Sequence, residues 1–493
     1  MYSLGYDLGS SSLKISIVDA QYHNEVSTIK EPTTAFSIES EHPHWAEQNP
    51  ELWWDYLCLG TKKILKQNDI DATEICSIGI SYQMHGLVMI DARGKPLGNA
   101  IIWCDSRAIQ TGIEIENLLP PQYCSHSLLN SPGNFTFSKL KWVKDYQPEI
   151  YEKIHHFLLP GDYLSFKLTS NINTTVNGLT EGILWDYPNH QLAHALFDRF
   201  EMDAGLCPEI VANFDSQGYI TKKAAQETGL SAGIPIRYRS GDQPNNAFSL
   251  GVFDGGEIAA TCGSSGVFYA IEDCLKAKKG YGFNYFAHVN HQKNHPRIGK
   301  LLCINGAGYA YQWLKEISNQ KDFRHLNQLA EKVPIGSDGL ISLTFGNGAE
   351  RMLGNKNLGA SFLNLNYNRH HLGHLARATI EGIAFAFVYG YELLDKNKGE
   401  IKTLRAGSDN LFQSKIFSNT LCTLIQYPIE VINTTGAIGA ARASLLKMGA
   451  LHDIKKMLHV NDRFKRYHPD SKKHEQYLKA YQKWKEQLLQ QCH

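Results

Sequence analysis

A short polar turn between two apolar runs occurs twice, and this duplication restricts the fold more than any other feature of the chain. Residues 4–18 run Leu-Gly-Tyr-Asp-Leu-Gly-Ser-Ser-Ser-Leu-Lys-Ile-Ser-Ile-Val, which reads as strand, tight turn, strand. Residues 257–273 repeat the pattern around Gly263-Ser264-Ser265, which aligns on Gly9-Ser10-Ser11. Gly9 is expected at positive φ, and its missing side chain lets a ligand approach the backbone. Ser10, Ser11, Ser12 and the turn N–H groups offer donors to an anion, and Lys14 adds a positive charge. Asp7 would repel that anion unless a divalent cation sat between them. Most hairpin turns rich in Gly and Ser bind nothing, so one copy alone carries little weight. Two copies half a chain apart imply one such unit in each of two domains.

Length agrees, since 493 residues exceed one ordinary core. Lys+Arg and Asp+Glu each total 49, which argues against a broad electrostatic surface for nucleic acid or membrane. No apolar run approaches the roughly 20 residues that span a bilayer. Asp7 falls where an export signal would be apolar, so no export is expected. Ten scattered cysteines without a Cys-x-x-Cys pair suit a reducing cytoplasm.

In chain order, Asn49-Pro50-Glu51 reads as a helix start, with Asn49 as N-cap, and Trp53, Tyr56, Leu57 and Ile64 as one buried face. Trp45 precedes it in a loop. Gln83-Met84-His85-Gly86 lies between two apolar strands, at a strand end, where sites in such sheets collect. Gln83 and His85 carry groups suited to hydroxyls, although a lone His at a strand end is more often structural. A strand then ends in Trp103-Cys104-Asp105-Ser106-Arg107, where Arg107 either holds Asp105 or both are solvated. Later, Ser240-Gly241-Asp242-Gln243-Pro244 joins an alternating strand to an apolar helix. Asp242 reads equally as a helix N-cap or as a reacting group. Cys303-Ile304-Asn305-Gly306 leads from a strand into a Gly-rich turn and a helix start that suits phosphate or ribose. Ala406-Gly407-Ser408-Asp409-Asn410 is another strand-to-turn junction.

Taken jointly and in order, these segments resemble the FGGY family of carbohydrate kinases, and within it the xylulokinases. The resemblance rests on Trp45-Ala46-Glu47-Gln48-Asn49-Pro50-Glu51, on Gln83-Met84-His85-Gly86 and on Trp103-Cys104-Asp105-Ser106-Arg107. Thr136 to Asp145 is similar to the first family signature and Gly359 to Glu381 to the second. Gly346 to Arg351 is similar to the family's Gly-Glu-Arg loop. The chain departs from the xylulokinase pattern at residues 174–182, where Thr-Thr and Asn-Gly-Leu-Thr-Glu-Gly replace Thr-Asp and Ser-Asp-Ala-Ser-Gly.

The resemblance implies an α/β fold of two ribonuclease-H-like domains, as in actin, hexokinase and Hsp70, with a nucleotide cleft between them. Residues 1–244 are expected to hold the sugar site, the first phosphate turn and the catalytic base, and residues 245–493 most of the ATP site. It implies phosphoryl transfer from ATP to a ketopentose, D-xylulose first, or else to ribulose, sedoheptulose or glycerol. A sugar or nucleotide sensor on the same fold is the alternative outside catalysis. Asp242 matches the base of the family's Gly-Asp-Gln/Asn motif, and Asp7 and Asp242 are expected to face Mg²⁺. Gln83, Met84, His85, Trp103, Asp105, Asp242 and Gln243 are expected at the sugar. Gly9, Ser10, Ser11, Ser12, Lys14, Gly263, Ser264, Ser265, Gly306, Gly407, Ser408 and Asn410 are expected at ATP. The partner is then a small sugar in the cytoplasm, without nucleic acid or membrane, and a homodimer is left open.

Overall fold

The computed structural model describes residues 1–120, 122–275, 282–394, 401–408, 411–455 and 465–492. Asp409 and Asn410 lie outside the described residues.

The first turn is the hairpin of a sheet whose strands are β1 (Tyr2–Leu8), β2 (Leu13–Asp19), β3 (Glu25–Glu31), β4 (Ile75–Tyr82) and β5 (Ile236–Gly241). Their order is β5-β4-β1-β2-β3. The three strands nearest the N-terminus pair antiparallel, whereas β4 and β5 add parallel to β1.

The second turn repeats this topology. Its sheet holds β6 (Glu257–Cys262), β7 (Gly266–Glu272), β8 (Asn284–Ala287), β9 (Ile298–Ile304), β10 (Thr403–Gly407), β11 (Ile429–Ile432) and β12 (Lys465–Tyr467). Among the described residues the order is β8-β9-β7-β6-β10-β11-β12. Again the hairpin and its next neighbour are antiparallel, and β10 and β11 add parallel to the first strand. The two hairpins close through short turns, and the parallel strands arrive by long crossovers, as parallel pairing requires. This is the ribonuclease-H-like arrangement, present twice.

Helix Gly436–Ser444 comes from the second half of the chain yet lies on the first sheet. Two glycines make that approach possible. A Cβ on Gly5 would sit 1.9 Å from the Ala437 carbonyl, and one on Gly79 would sit 2.0 Å from that of Ala440. The small-residue run Gly436-Ala437-Ile438-Gly439-Ala440-Ala441 is the matching surface. The helix Asp242–Ser249 packs beside it, with Asn245 Nδ2 donating to the Gly436 carbonyl at 2.9 Å. Ser77 and Ser444 share a hydroxyl hydrogen bond of 2.8 Å across the same contact.

The expected helix cap is present, and the expected face is buried except at Tyr56, which is half-buried. Asn49 Oδ1 accepts from the Glu51 amide at 3.0 Å and opens helix Pro50–Gln67, which buries Trp53, Leu57 and Ile64. Ile380, Ile383, Ala384 and Phe387 are buried along helix Leu372–Leu394. The last helix, His474–Cys492, does more than cover the surface. It buries Tyr477, Tyr481, Trp484 and Leu488, and the Trp484 indole donates to the Ser342 carbonyl at 2.9 Å. No described helix is long and apolar enough to cross a membrane.

Candidate active site

The carboxyl ends of three parallel strands come level in the first sheet. Leu8 pairs with Tyr82, and Tyr82 with Gly241. The residues that follow them are therefore neighbours: Gly9-Ser10-Ser11, Gln83-Met84-His85 and Asp242-Gln243. Sites in open α/β sheets form at such carboxyl ends because the chain must leave the sheet there.

Asp242 opens its helix as the first helical residue. Gly241 is the N-cap, and no side chain caps the helix, so Asp242 is not acting as the cap. Its carboxyl is half-buried and is pushed up to about 7, first by burial and then by the charge of Asp7. Asp7 accepts from Ser81 Oγ at 2.8 Å and faces Lys14 directly across the hairpin. A Cβ on Gly436 would lie 2.5 Å from the Asp7 carboxylate, so the interdomain helix starts directly against this acid. Glu181, from the divergent loop, is buried beneath Asp242, and its Oε2 lies 2.2 Å from where a Cβ on Gly241 would be. Burial and then the Asp242 charge hold its carboxyl well above the usual range.

His85 sits at φ 62°, in the left-handed region. Its Nδ1 lies 2.9 Å from the Glu181 carbonyl, and its ring packs against Phe135 and Phe286, with centroids 4.7 and 5.3 Å away. Burial and then the neighbouring Lys139 push its imidazole down to about 3, so it is neutral. Met84 is buried beside Gly241. Gln83 is also buried, and its amide nitrogen donates to Gln48 Oε1 at 3.0 Å. Gln243 keeps a buried amide oxygen without a partner.

Asp105, expected at the sugar, is turned inward. It has no exposed surface. Its oxygens accept from the Ala46 amide at 2.6 Å and from the Arg107 guanidinium at 2.7–3.0 Å. Arg107 also reaches Glu47 at 2.6 Å and lies 3.7 Å from the Trp45 ring centroid. Asp105 therefore builds the wall rather than facing the cleft, because a bidentate guanidinium consumes both of its oxygens. Trp103 stands 47% exposed beyond that wall.

Gly9 also departs from expectation, since it is not among the positive-φ residues. Its N–H closes the turn onto the Ser12 carbonyl at 2.9 Å with ordinary dihedrals. Ser11 is exposed, Ser10 half-buried and Ser12 buried.

In the second turn Gly263 and Ser264 are exposed, and nothing lies within 4 Å of where a Gly263 Cβ would be. This turn rests on the start of helix Ala307–Ile317, where the Tyr309 amide donates to the Ser264 carbonyl at 3.1 Å. Glu350 braces the same place. Its buried carboxylate accepts from the Asn305 amide at 2.9 Å and the Gly306 amide at 3.3 Å, although burial pushes its carboxyl up to about 7. Gly407 is buried at the end of β10. Ser408 follows it, hydrogen-bonded to the Ile432 carbonyl at 3.0 Å and to Asn433 at 2.9 Å.

The structure thus brings Asp7, Asp242, Gln83, Met84 and His85 together at the first sheet, and sets the second turn with Gly306 at the second. Sequence reasoning missed Gln48, Lys139, Glu181 and Glu350 as site-building residues. Gln48, Lys139 and Glu350 stood inside recognised motifs, and Glu181 marked the departure from them. Among the described residues no group of three or more His, Cys, Asp or Glu side chains forms a metal cluster.

Comparison with known proteins places this geometry. A xylulose kinase of Staphylococcus xylosus is 29% identical over 438 residues, which cover 86% of this chain and 87% of that protein. The crystal structure of a xyloylose kinase from Brucella ovis superposes with a TM-score of 0.87 at 23% identity, covering 99% of this chain and 98% of that one. A Plasmodium falciparum glycerol kinase solved with ADP superposes with a TM-score of 0.85 at 22% identity, covering 99% and 98%. Residues 2–249 match the N-terminal domain of the FGGY family of carbohydrate kinases. The chain belongs to that family.

Proposed function

We propose that the protein is an ATP-dependent sugar kinase that transfers the γ-phosphoryl group to a hydroxyl of a ketopentose, with D-xylulose, giving D-xylulose 5-phosphate, as the first candidate. The observation that carries the reading is the placement of Asp242: a carboxyl at a parallel-strand end, level with the first serine turn, and beside Met84 and His85. Phosphoryl transfer is mainly positioning and charge stabilisation. Asp242 in its ionised form orients the attacking hydroxyl and accepts its proton. Neutral His85 and the amide of Gln243 suit sugar hydroxyls. The two serine turns suit phosphate oxygens from opposite sides.

The residues present also fit a divalent cation. After burial, the charge of Asp7 adds to the cost of ionising Asp242. Mg²⁺ usually takes one or two carboxylates and otherwise waters and phosphate oxygens, which matches a site without a larger cluster. When bound, it neutralises charge on the phosphates.

We read residues 1–244 and 245–493 as the two domains. The family match ending at residue 249 supports the division. A small sugar and a cytoplasmic setting go with this function. The divergent loop, which puts Glu181 under Asp242, favours a second reading in which the acceptor is another ketose or a polyol. Measuring ADP release over pentuloses, hexuloses and polyols separates the two. D-xylulose should give the highest kcat/KM; another sugar far ahead of it establishes the second reading, and no sugar-dependent release overturns both.

A further inference from the structure

Each of the three serine carbonyls of the first turn is held by a donor of the protein. The Ser12 carbonyl accepts from the Gly9 amide at 2.9 Å, and that of Ser11 from the Phe36 amide at 2.9 Å. The Ser10 carbonyl accepts from a side chain, Gln48 Nε2, at 2.7 Å. In a trans peptide the C=O and the next N–H point in opposite directions. Holding the Ser10 and Ser11 carbonyls from below therefore aims the Ser11 and Ser12 N–H groups outward. An anion is repelled by carbonyl oxygens and attracted by N–H groups, so this orientation decides whether the turn receives a phosphate.

Gln48 has a second connection. Its Oε1 accepts from the Gln83 amide at 3.0 Å and from the Trp53 indole at 3.2 Å. Gln48 and Gln83 are each 2% exposed, so neither amide can exchange these partners for water at no cost. Gln83 is also tied to the turn's own strand, its N–H donating to the Leu8 carbonyl at 2.6 Å. Its side-chain oxygen is buried without a partner. One glutamine thus bridges the loop that carries Met84 and His85 and the peptide that faces the nucleotide phosphates.

We infer that Gln48 is a positioning residue that sets the phosphate-binding orientation of the Ser10–Ser11 peptide and links it to the sugar loop through Gln83. The inference rests on the kinase reading above. Two of the three restraints on the turn are main-chain donors, so Gln48 is the one that a substitution can remove. Its removal frees the Ser10–Ser11 peptide to flip and present an oxygen to the phosphates. It also disconnects the loop that changes environment when sugar binds.

The test is titration calorimetry of the full-length protein with adenylyl-imidodiphosphate and Mg²⁺, with and without D-xylulose. Gln48→Met keeps the side-chain length and removes the hydrogen bonds. It should weaken the analogue about 10-fold, the worth of one buried hydrogen bond and its orphaned partner. D-xylulose affinity without nucleotide should stay within about twofold, and KM for ATP should rise more than kcat falls. Gln48→Glu keeps an acceptor for Gln83 and Trp53 but sets an oxygen against the Ser10 carbonyl, so it should weaken the analogue further. Folded Gln48→Met protein with wild-type analogue affinity overturns the inference. If Gln48→Met does not fold, Gln83→Met decides the link. It leaves the bond to Ser10 intact, so the analogue alone should bind as in wild type, while any tightening by sugar should shrink at least threefold. Unchanged tightening overturns the link. Wild-type protein that binds the analogue while Gln48→Met binds equally well sinks only this inference. Wild-type protein that binds no nucleotide sinks the kinase reading, and this inference with it.

Discussion

Lys139 donates from Nζ to the main-chain carbonyl of His85 at 2.8 Å, from a side chain with no exposed surface. It also donates to the Ile102 carbonyl at 2.9 Å. Burial pushes its ammonium down to about 7, with the nearby Asp105 acting against that shift. Buried charge is expensive without a partner, and this one is held by the His85 and Ile102 carbonyls.

The first prediction follows from what Lys139 holds. His85 occupies left-handed backbone, which costs a non-glycine residue about 1 kcal/mol or more. Without Lys139 that carbonyl loses its restraint, whereas the Ile102 carbonyl keeps the Asp105 amide at 3.1 Å. Lys139→Met should raise KM for the sugar about 10-fold or more and leave binding of an ATP analogue alone unchanged. Steady-state kinetics with calorimetry check both. Unaltered sugar KM in a folded variant would show that the loop holds itself.

Asp242→Asn should retain folding and nucleotide binding but lower turnover roughly 10²–10⁴-fold, the usual worth of a positioned base. It should also change the pH dependence of stability. The folded pKa is raised to about 7. Below the ordinary carboxylate range both folded and unfolded chains hold the proton, and wild type and variant match. As pH rises towards 7 the unfolded chain binds fewer protons than the folded one, so wild type loses stability. Above about 7 the loss is complete, and asparagine never incurs it. In metal-free buffer the variant should therefore melt roughly a few degrees above wild type at pH 8 and level with it near pH 4. Equal melting at both pH values would refute the raised Asp242 pKa, and near-normal turnover would refute the base.

The hairpins and their strand ends were legible because their causes are local. The apolar runs along residues 4–18 and 257–273 mark strands buried on both faces, and the Gly-Ser turns set the pairing, so Leu8–Leu13 and Cys262–Gly266 follow. Asp242 was legible as a residue between a strand and a helix, but not as something other than a cap. What distinguishes the two is Asp7, more than 200 positions away. Asp105 was misplaced for the same reason. Its neighbour Arg107 was visible, but the stacking on Trp45 that turns the guanidinium inward comes from another segment. Gln48 had no signal of its own, because its three partners converge only in the fold.

Gly308 supplies a test in which two effects oppose each other. Inside helix Ala307–Ile317 alanine is favoured over glycine by roughly 1 kcal/mol. A Cβ there, however, would lie 1.5 Å from the Gly263 carbonyl and 3.3 Å from that of Ser264. Both are backbone atoms that cannot swing aside, and overpacking of this kind costs about 1–3 kcal/mol or more. The clash should win. Gly308→Ala should displace the second turn and weaken the ATP analogue about 10-fold, with sugar affinity retained. Wild-type nucleotide affinity would mean that the second turn does not carry phosphate.

The last prediction concerns how the two halves move. They are tied together in two places. The Tyr285 amide donates to Asn130 Oδ1 at 2.9 Å, Asn177 Nδ2 donates to the Ala287 carbonyl at 2.5 Å, and the Ala287 amide donates to Thr180 Oγ1 at 3.1 Å. All three bonds join β8 of the second sheet, whose Phe286 packs on His85, to residues of the first half. The helix Gly436–Ser444 forms a second tie against Gly5 and Gly79. The first serine turn follows Asp7, against which that helix starts, while the second turn rests on helix Ala307–Ile317 of the other half, so an opening motion of the halves changes the separation of the turns. Closure is then needed to bring both turns onto one nucleotide, and it excludes water that would otherwise accept the phosphoryl group. Sugar beside His85 should favour the closed state, tighten an ATP analogue, and by linkage be tightened by the same factor. A coupling of about 1–3 kcal/mol is typical, or roughly 5–150-fold in affinity. Asn130→Ala loosens one tie without touching either ligand. It should shrink that factor while leaving each ligand's separate affinity within about twofold. Calorimetry in both orders of addition measures the factor, and small-angle scattering reports the closure. Equal analogue affinity with and without sugar, together with unchanged scattering on adding both, would show that the halves do not close on their substrates.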